Sequence, residues 1–280
     1  MGKKMENSSV HQRYRFIELI AYWEGRINAT TLAQQFGQSR QQNSADINSY
    51  KNLAPDNLIY DSSLKVNIPT DHFLPQFIST QVDEYLHWFH TGQLPSGAPP
   101  PLSESLKIPS RKISPQIMRC LVAAIRQQKR IEVDYVSLNN PNREGRVIAP
   151  HSFVNTGLRW HLRAWCEKSS EYRDFVLSRF RGEPELLEKS LYTAAQDESW
   201  NTQVTIILQP DQRLSPAKRE VLENDYQMQN GQLHIVTKGC LVNYLLREMQ
   251  INTKMLDGTP EAQQLVLVNQ ADIKPWLFEG

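Results

Sequence analysis

The run Arg159-Trp160-His161-Leu162-Arg163-Ala164-Trp165 alternates in a way that fixes where its chemistry would sit. In an extended strand Arg159, His161 and Arg163 share one face, while Trp160, Leu162 and Ala164 share the other. Three potential cations on one sheet face repel each other, and an anionic ligand lying across the sheet would justify them. A few residues later Arg173-Asp174-Phe175-Val176-Leu177-Ser178-Arg179 supplies two further guanidinium groups. The planar fork of arginine suits phosphate, and Tyr or His can stack on a base while hydrogen-bonding to its edge. The competing reading pairs these arginines with Asp134, Asp174 and Glu167 in surface salt bridges.

A second run with chemical content is Ser39-Arg40-Gln41-Gln42-Asn43-Ser44, followed by Asp46, Asn48 and Lys51. On the first turn of a helix in the DNA major groove, Arg pairs with guanine, and Gln or Asn with adenine, through two hydrogen bonds each. Ser39, with Thr30 and Thr31 before it, suits phosphate oxygens at helix N-termini. Ile47 and Tyr50 would hold the helix to its core. Lys65 is either a contact from a neighbouring hairpin or a solvated lysine. A polar helix face that meets only solvent is the alternative; a first turn of Arg, two Gln, Asn and Ser without Glu favours DNA.

These residues need elements to position them. Residues 10–24 carry Tyr14, Ile17, Leu19, Ile20 and Trp23 at helical spacing, and Gly25 breaks the run. Asn28 is an N-cap for a short helix with Leu32 and Phe36 that Gly37 closes. Ser39 opens a third helix to about Leu53, stopped by Pro55. Strand, turn and strand follow over 57–68. Helix, short helix, helix and hairpin is the order of a winged helix-turn-helix. Residues 71–92 read as one more helix or a pair.

From 93 to 112 the composition turns to Pro, Gly and Ser around Pro99-Pro100-Pro101, a linker or arm. Ser114-Pro115 opens a helix to about Lys129. Strands at 131–138, 145–149, 152–154, 159–167 and 173–180, joined by short turns, suit a small bent β-barrel. After Gly182-Glu183-Pro184 a mixed unit runs on, with strands at 204–208, 233–237 and 264–268 and helices near 215–224 and 239–251. The domain reading is therefore 1–92, a winged helix with a following helix; 93–112, a linker; 113–184, a barrel with its leading helix; and 185–280, a C-terminal unit.

Net charge is +1 but segregated: 14 Lys+Arg stand against 6 Asp+Glu over 111–181, and 8 against 14 over 182–280. Basic segments suit a polyanion, and the acidic one a different task. Cys120, Cys166 and Cys240 are too far apart in sequence for a metal or redox motif, which fits a reducing cytoplasm. No run is apolar enough for a membrane span, and no secretion signal is visible. His87 and His90 could hold a metal only with two further ligands, and nothing nearby supplies them. Cys166 is either a buried structural thiol or a redox switch. No phosphate loop, nucleophile elbow or carboxylate pair appears, so catalysis, metal and cofactor are not expected.

The central segment resembles the WYL domain of bacterial transcriptional regulators, an Sm-like barrel that senses ligands. Its namesake tripeptide stands here as Trp160-His161-Leu162, with His for the central Tyr. Tyr135, Ser137, Pro150-His151 and the Arg173, Phe175, Leu177, Arg179 series match the wider pattern. The Arg-Trp-His-Leu-Arg-Ala-Trp form is similar to regulators associated with phage-defence operons of the BREX and CBASS types, the BREX type foremost. The resemblance implies a ligand pocket of Tyr135, Ser137, His151, Arg173 and Arg179, with His161 in the place of the motif's Tyr. Trp160, Leu162, Val133 and Leu177 read as core.

The fold class expected is α+β and multidomain: winged helix-turn-helix, central Sm/SH3-like barrel and C-terminal α/β dimerisation extension. The function expected is a cytoplasmic homodimeric repressor on an inverted-repeat operator in double-stranded DNA, answering a nucleotide or oligonucleotide effector. The alternatives are an accessory protein holding single strands in the barrel groove, and a nucleotide-processing enzyme that would use His151 or His161.

Overall fold

The computed structural model describes residues 2–94, 108–255 and 257–277, with side chains from residue 9 onward. The Pro-rich centre of the expected linker, Pro99-Pro100-Pro101, lies outside the described residues. The chain divides into two compact units. The first holds residues 1–150, 166–169 and 176–189; the second holds 151–165, 170–175 and 190–280.

In the first unit, α1 (Gly2–Glu24) buries Phe16, Ile17, Leu19, Ile20 and Trp23. Gly25, at φ +77°, ends it, because a left-handed residue cannot continue the helix. Asn28 then caps α2 (Ala29–Phe36), its side-chain oxygen accepting from the Thr31 amide at 3.0 Å. Ser39 caps α3 (Arg40–Leu53) by accepting from the Gln42 amide at 3.2 Å. Both caps stand where the sequence puts them. The hairpin of β1 (Leu58–Asp61) and β2 (Val66–Pro69) is antiparallel. Paired 2.8 Å bonds between Ile27 and Asn67 stitch it to the start of α2. Helix, helix, helix and hairpin follow in the expected order.

The stretch 71–92 differs from its expectation. Only α4 (Val82–Thr91) is helical. Pro75 lacks an amide donor, and the next amides are taken elsewhere. Gln76, Phe77 and Ile78 donate to the carboxylate of Glu18 at 2.7–3.2 Å. Glu18 has no exposed surface. The Tyr50 hydroxyl also donates to it at 2.9 Å, and Asn57 donates to that hydroxyl at 2.7 Å. One carboxylate thus ties α1, α3, the entry to the hairpin and the 74–78 segment together.

α5 (Pro115–Gln127) turns Ile117, Met118, Leu121 and Val122 into the core. Its Arg126 forks onto Glu24 of α1 at 2.5 and 2.7 Å. The strands that follow are β3 (Lys129–Tyr135), β4 (Glu144–Asn155), β5 (Trp160–Cys166), β6 (Glu171–Val176) and β7 (Phe180–Lys189). Two strands expected at 145–149 and 152–154 are one, running through Pro150. The order β6-β5-β4-β3-β7 leaves β6 and β7 at the margins. A closed barrel was expected; the described residues form an open sheet. The strand read at 173–180 breaks into a 3-10 turn, Leu177–Arg179, whose backbone cannot extend a ladder. At that corner the Val136 amide donates to the Arg179 carbonyl, and the Val176 amide to the Tyr135 hydroxyl.

The second unit continues through α6 (Glu198–Asn201), β8 (Gln203–Pro210), α7 (Pro216–Asp225), β9 (Leu233–Lys238) and α8 (Val242–Glu248). It closes with α9 (Pro260–Gln263), β10 (Leu265–Leu267) and α10 (Gln270–Ile273). A sheet of order β10-β8-β9 sends Val204, Ile206 and Leu208 into a core with Leu222, Val242, Leu246 and Ile273.

Removing the charge of Glu18 leaves the 76–78 amides poorly matched. Glu18→Gln is expected to lower unfolding free energy by roughly 3 kcal/mol, and Tyr50→Phe by about 1 kcal/mol. Urea titration followed by tryptophan fluorescence measures both, and equal stability of Glu18→Gln and the parent would refute the hub.

Candidate nucleic-acid interface

Residues 40, 44, 48 and 51 of α3 recur at the three- and four-residue spacing of one helix face. The inner face is fixed to the core by Asn43, Asp46 and Tyr50, all buried, and buried Ile47 lies at the floor of the groove. The Arg13 guanidinium on α1 meets the Asp46 carboxylate at 2.7 Å, and Tyr50 bonds to Glu18. The helix therefore cannot roll. Arg40, Ser44, Asn48 and Lys51 line a surface groove together with Thr30 of α2. Tyr60 and Lys65 of the hairpin region complete the lining. The lining carries three cations and no carboxylate. Such a surface attracts phosphate and offers donors and acceptors to base edges.

Not every residue expected there is free to read DNA. Asn43 has no exposed surface and donates to the Gln38 carbonyl at 3.0 Å, so it belongs to the helix's inner face. Ser39 and Thr31 spend side-chain oxygens on caps, with the Thr31 hydroxyl donating to Asn28 at 3.1 Å. Gln41 and Gln42 are exposed on the first turn. Gln42 is held by its side-chain amide, which donates to Asp46 at 3.2 Å. Tyr60, 54% exposed, was missed in the sequence. Its signal was a large aromatic on the solvent side of a short hairpin.

The residues expected to hold an anionic ligand fall in both units. In the first, Tyr135 is buried: its hydroxyl accepts from Val176 at 2.9 Å and its ring packs edge-on to Phe180. The Ser137 hydroxyl accepts from the Asn140 amide at 2.9 Å and closes a turn. Arg179 sits half-buried in the 3-10 turn. Val133 and Leu177 are buried as expected; in the second unit Leu162 is buried and Trp160 half-buried. Cys166 has no exposed surface, and the Arg146 guanidinium lies 3.9 Å from its sulfur.

In the second unit Arg163, on the cationic face of β5, already has its anions. Arg163 is buried, with Nε 2.7 Å and Nη2 3.0 Å from the two oxygens of Asp197. Its Nη1 lies 3.3 Å from Asp174, and Ser199 is bonded to Nη2. His151 reaches the same Asp197 carboxylate at 3.1 Å, and the Tyr244 hydroxyl donates to Asp174 at 3.1 Å. His161, 2% exposed, packs against the Tyr244 ring. The strand-face argument for an external anion is thus corrected for Arg163. The sequence hid this because Asp197 lies 34 residues downstream of Arg163. Arg173 is on the surface, 2.7 Å from an equally exposed Glu171.

Burial pushes the Asp197 carboxyl up, but hydrogen bonds from His151 and Arg163, with the Arg163 charge, outweigh it and hold it well below the usual range. Asp174 is shifted the other way: burial raises it against the pull of Arg163. Burial also pushes the Cys240 thiol up to about 11, which keeps it protonated near neutral pH.

Comparison with known proteins matches three segments to described families. Residues 9–91 match the BrxR transcriptional regulator winged helix-turn-helix domain, and residues 116–182 the WYL domain. Residues 203–273 match the BrxR transcriptional regulator C-terminal dimerization domain. The DNA-binding transcriptional repressor CapW of Pseudomonas aeruginosa is 35% identical over 98% of this chain and 93% of its own length. CapW of Escherichia coli (strain KTE188) is 34% identical over 97% and 93%, and that of Stenotrophomonas maltophilia 31% over 96% and 92%. The matched domain families carry the BrxR name and the full-length relatives the CapW name.

Asp197→Asn is expected to cost roughly 3 kcal/mol, since it removes one of the two buried carboxylates, Asp197 and Asp174, that face the Arg163 guanidinium. The folded-state pKa of Asp197 is depressed, so its contribution is complete above its unfolded value, about 3.9, and fades as pH falls below it. Melting temperatures from pH 7 down to 2 should therefore drop more steeply for the parent than for Asp197→Asn. Parallel curves would contradict the assignment.

Proposed function

The chain belongs to the family of winged-helix, WYL-domain transcriptional repressors that includes the CapW proteins, and on that premise we propose that it is a homodimeric repressor of a phage-defence operon. It acts in the cytoplasm as a binding protein. The observation that carries this reading is the groove beside α3, where Arg40, Ser44, Asn48 and Lys51 meet Thr30, Tyr60 and Lys65 without any carboxylate. Arg40 and Gln41 on the first turn read base edges, and Gln42 presents the acceptor that Asp46 leaves free. Thr30, Lys51 and Lys65 hold the phosphates. Two copies related by a two-fold axis read an inverted repeat whose half-sites lie about 10 base pairs apart, or a multiple of that.

The WYL segment senses an effector of nucleotide or oligonucleotide chemistry. Of the residues the family pattern names, Arg173 suits an incoming phosphate well. Its partner Glu171 is as exposed as itself, and exposed ion pairs exchange readily because they contribute little. Tyr135 and Ser137, both engaged in internal bonds, hold the strand rather than the ligand. An effector releases the operator only by binding one dimer geometry more tightly than another.

A gel shift on the protein's own promoter tests the reading. Arg40→Ala with Gln41→Ala removes contacts of about 1–3 kcal/mol each and should weaken operator binding by roughly a hundredfold or more. Lys65→Ala should weaken all sequences alike and lower the slope of log affinity against log salt by about 1. Unchanged operator binding by the double variant, with loss of DNA affinity in Arg173→Ala, would move the DNA site to the WYL segment and overturn the proposal.

A further inference from the structure

Arg119 and Arg126 recur at a two-turn spacing on α5, which puts both on one side of that helix. Both reach the C-terminal end of α1. The Arg119 Nε donates to the Tyr22 carbonyl at 2.7 Å, one of the last carbonyls of α1, which lack partners within their own helix. Arg126 forks onto Glu24, whose side chain is 3% exposed and also accepts from the Tyr85 hydroxyl of α4 at 3.0 Å. A Cβ on Gly25 would stand 3.2 Å from the Arg119 Cδ, so the stem of that arginine lies against the helix end. Two cations here suit the negative end of the α1 dipole.

α5 also packs against β3 and β7. The Cys120 Sγ lies 3.8 Å from the Pro184 carbonyl of β7. A single residue, Gln128 at φ +52°, separates α5 from β3, so helix and strand are joined without slack. β3 runs on to Tyr135, whose hydroxyl accepts from Val176, and the next amide, Val136, donates to the Arg179 carbonyl. The corner carrying Arg179 is thereby tied to the far end of β3. On its other side, α1 is tied to α3 through Glu18 with Tyr50 and Arg13 with Asp46. All of these residues fall in the first compact unit.

From these contacts we propose that Arg119 and Arg126 are positioning residues that couple the DNA-reading face of α3 to the β3–β7 corner. A shift of that corner moves α5 together with β3. The two arginines pass it to α1, and the Glu18 and Arg13 contacts pass it on to α3. Linkage makes the coupling reciprocal, so DNA held by α3 also steadies β3 and β7. The inference rests on the DNA-binding reading above and adds the route by which the WYL strands answer to it.

Hydrogen exchange of the full chain, read by mass spectrometry with and without the protein's own operator DNA, tests the coupling. In the parent, DNA should slow exchange over 29–65, and by about fivefold over 129–135 and 180–189, which lie outside the groove. Arg119→Met with Arg126→Met should keep DNA binding and the slowing over 29–65, but lose the slowing over the two strands. Arg126→Lys, which preserves the ion pair with Glu24, should retain it. A parent that binds DNA without any response in the strands overturns the coupling and leaves the DNA reading standing. So does a double variant whose strands respond as the parent's do. A parent that binds no promoter DNA overturns the DNA reading, and the coupling with it. Should the double variant melt early, Arg119→Met alone takes its place, since it removes only the bond to the Tyr22 carbonyl. A weakened strand response then supports the coupling, and a full response refutes it.

Discussion

A carboxylate with no exposed surface must be matched by donors, and Glu18 finds them on two separate segments, the 76–78 backbone and Tyr50 of α3, whose hydroxyl in turn accepts from the side chain of Asn57. Burial is tolerable only because these bonds exist together. The same contact fixes the roll of α3 against α1, seconded by Arg13 and Asp46. Every groove-lining residue on α3 inherits its direction from that pair of buried anchors. The raised pKa of the Tyr50 phenol, caused first by burial, keeps it a hydrogen-bond donor at any ordinary pH.

The second unit applies the same rule with opposite sign. Arg163 is a buried cation, and Asp197 and Asp174 are its built-in counter-ions. A face that looks electrostatically frustrated in the sequence is balanced in the fold. At the surface, Arg173 pairs with the equally exposed Glu171. Buried pairs hold the strands rigidly, and exposed ones contribute little.

Local signals carried much of the fold. Asn28 and Ser39 cap the helices they were expected to cap, and Gly25 and Gly37 end helices where a left-handed residue must. The face of α3 followed from periodicity, with Asn43 the exception: a polar residue at a buried position is invisible until its partner, the Gln38 carbonyl, is known. Long-range pairings were not legible. Nothing near Arg163 announces Asp197, and nothing near Pro75 announces that Glu18 will take the amides after it and leave 71–81 without helix. The 3-10 turn at Leu177–Arg179 was likewise hidden, because alternating residues read as strand whether or not the backbone completes a ladder.

The central claim is that two identical α3 faces, held at a fixed spacing, read one inverted repeat. Its most direct test is fluorescence anisotropy with the protein's own operator and with a version carrying about five extra base pairs between half-sites, half a helical turn. The account predicts that the insertion rotates one half-site out of reach and reduces affinity to that of a single half-site. Equal affinity for both DNAs would contradict it.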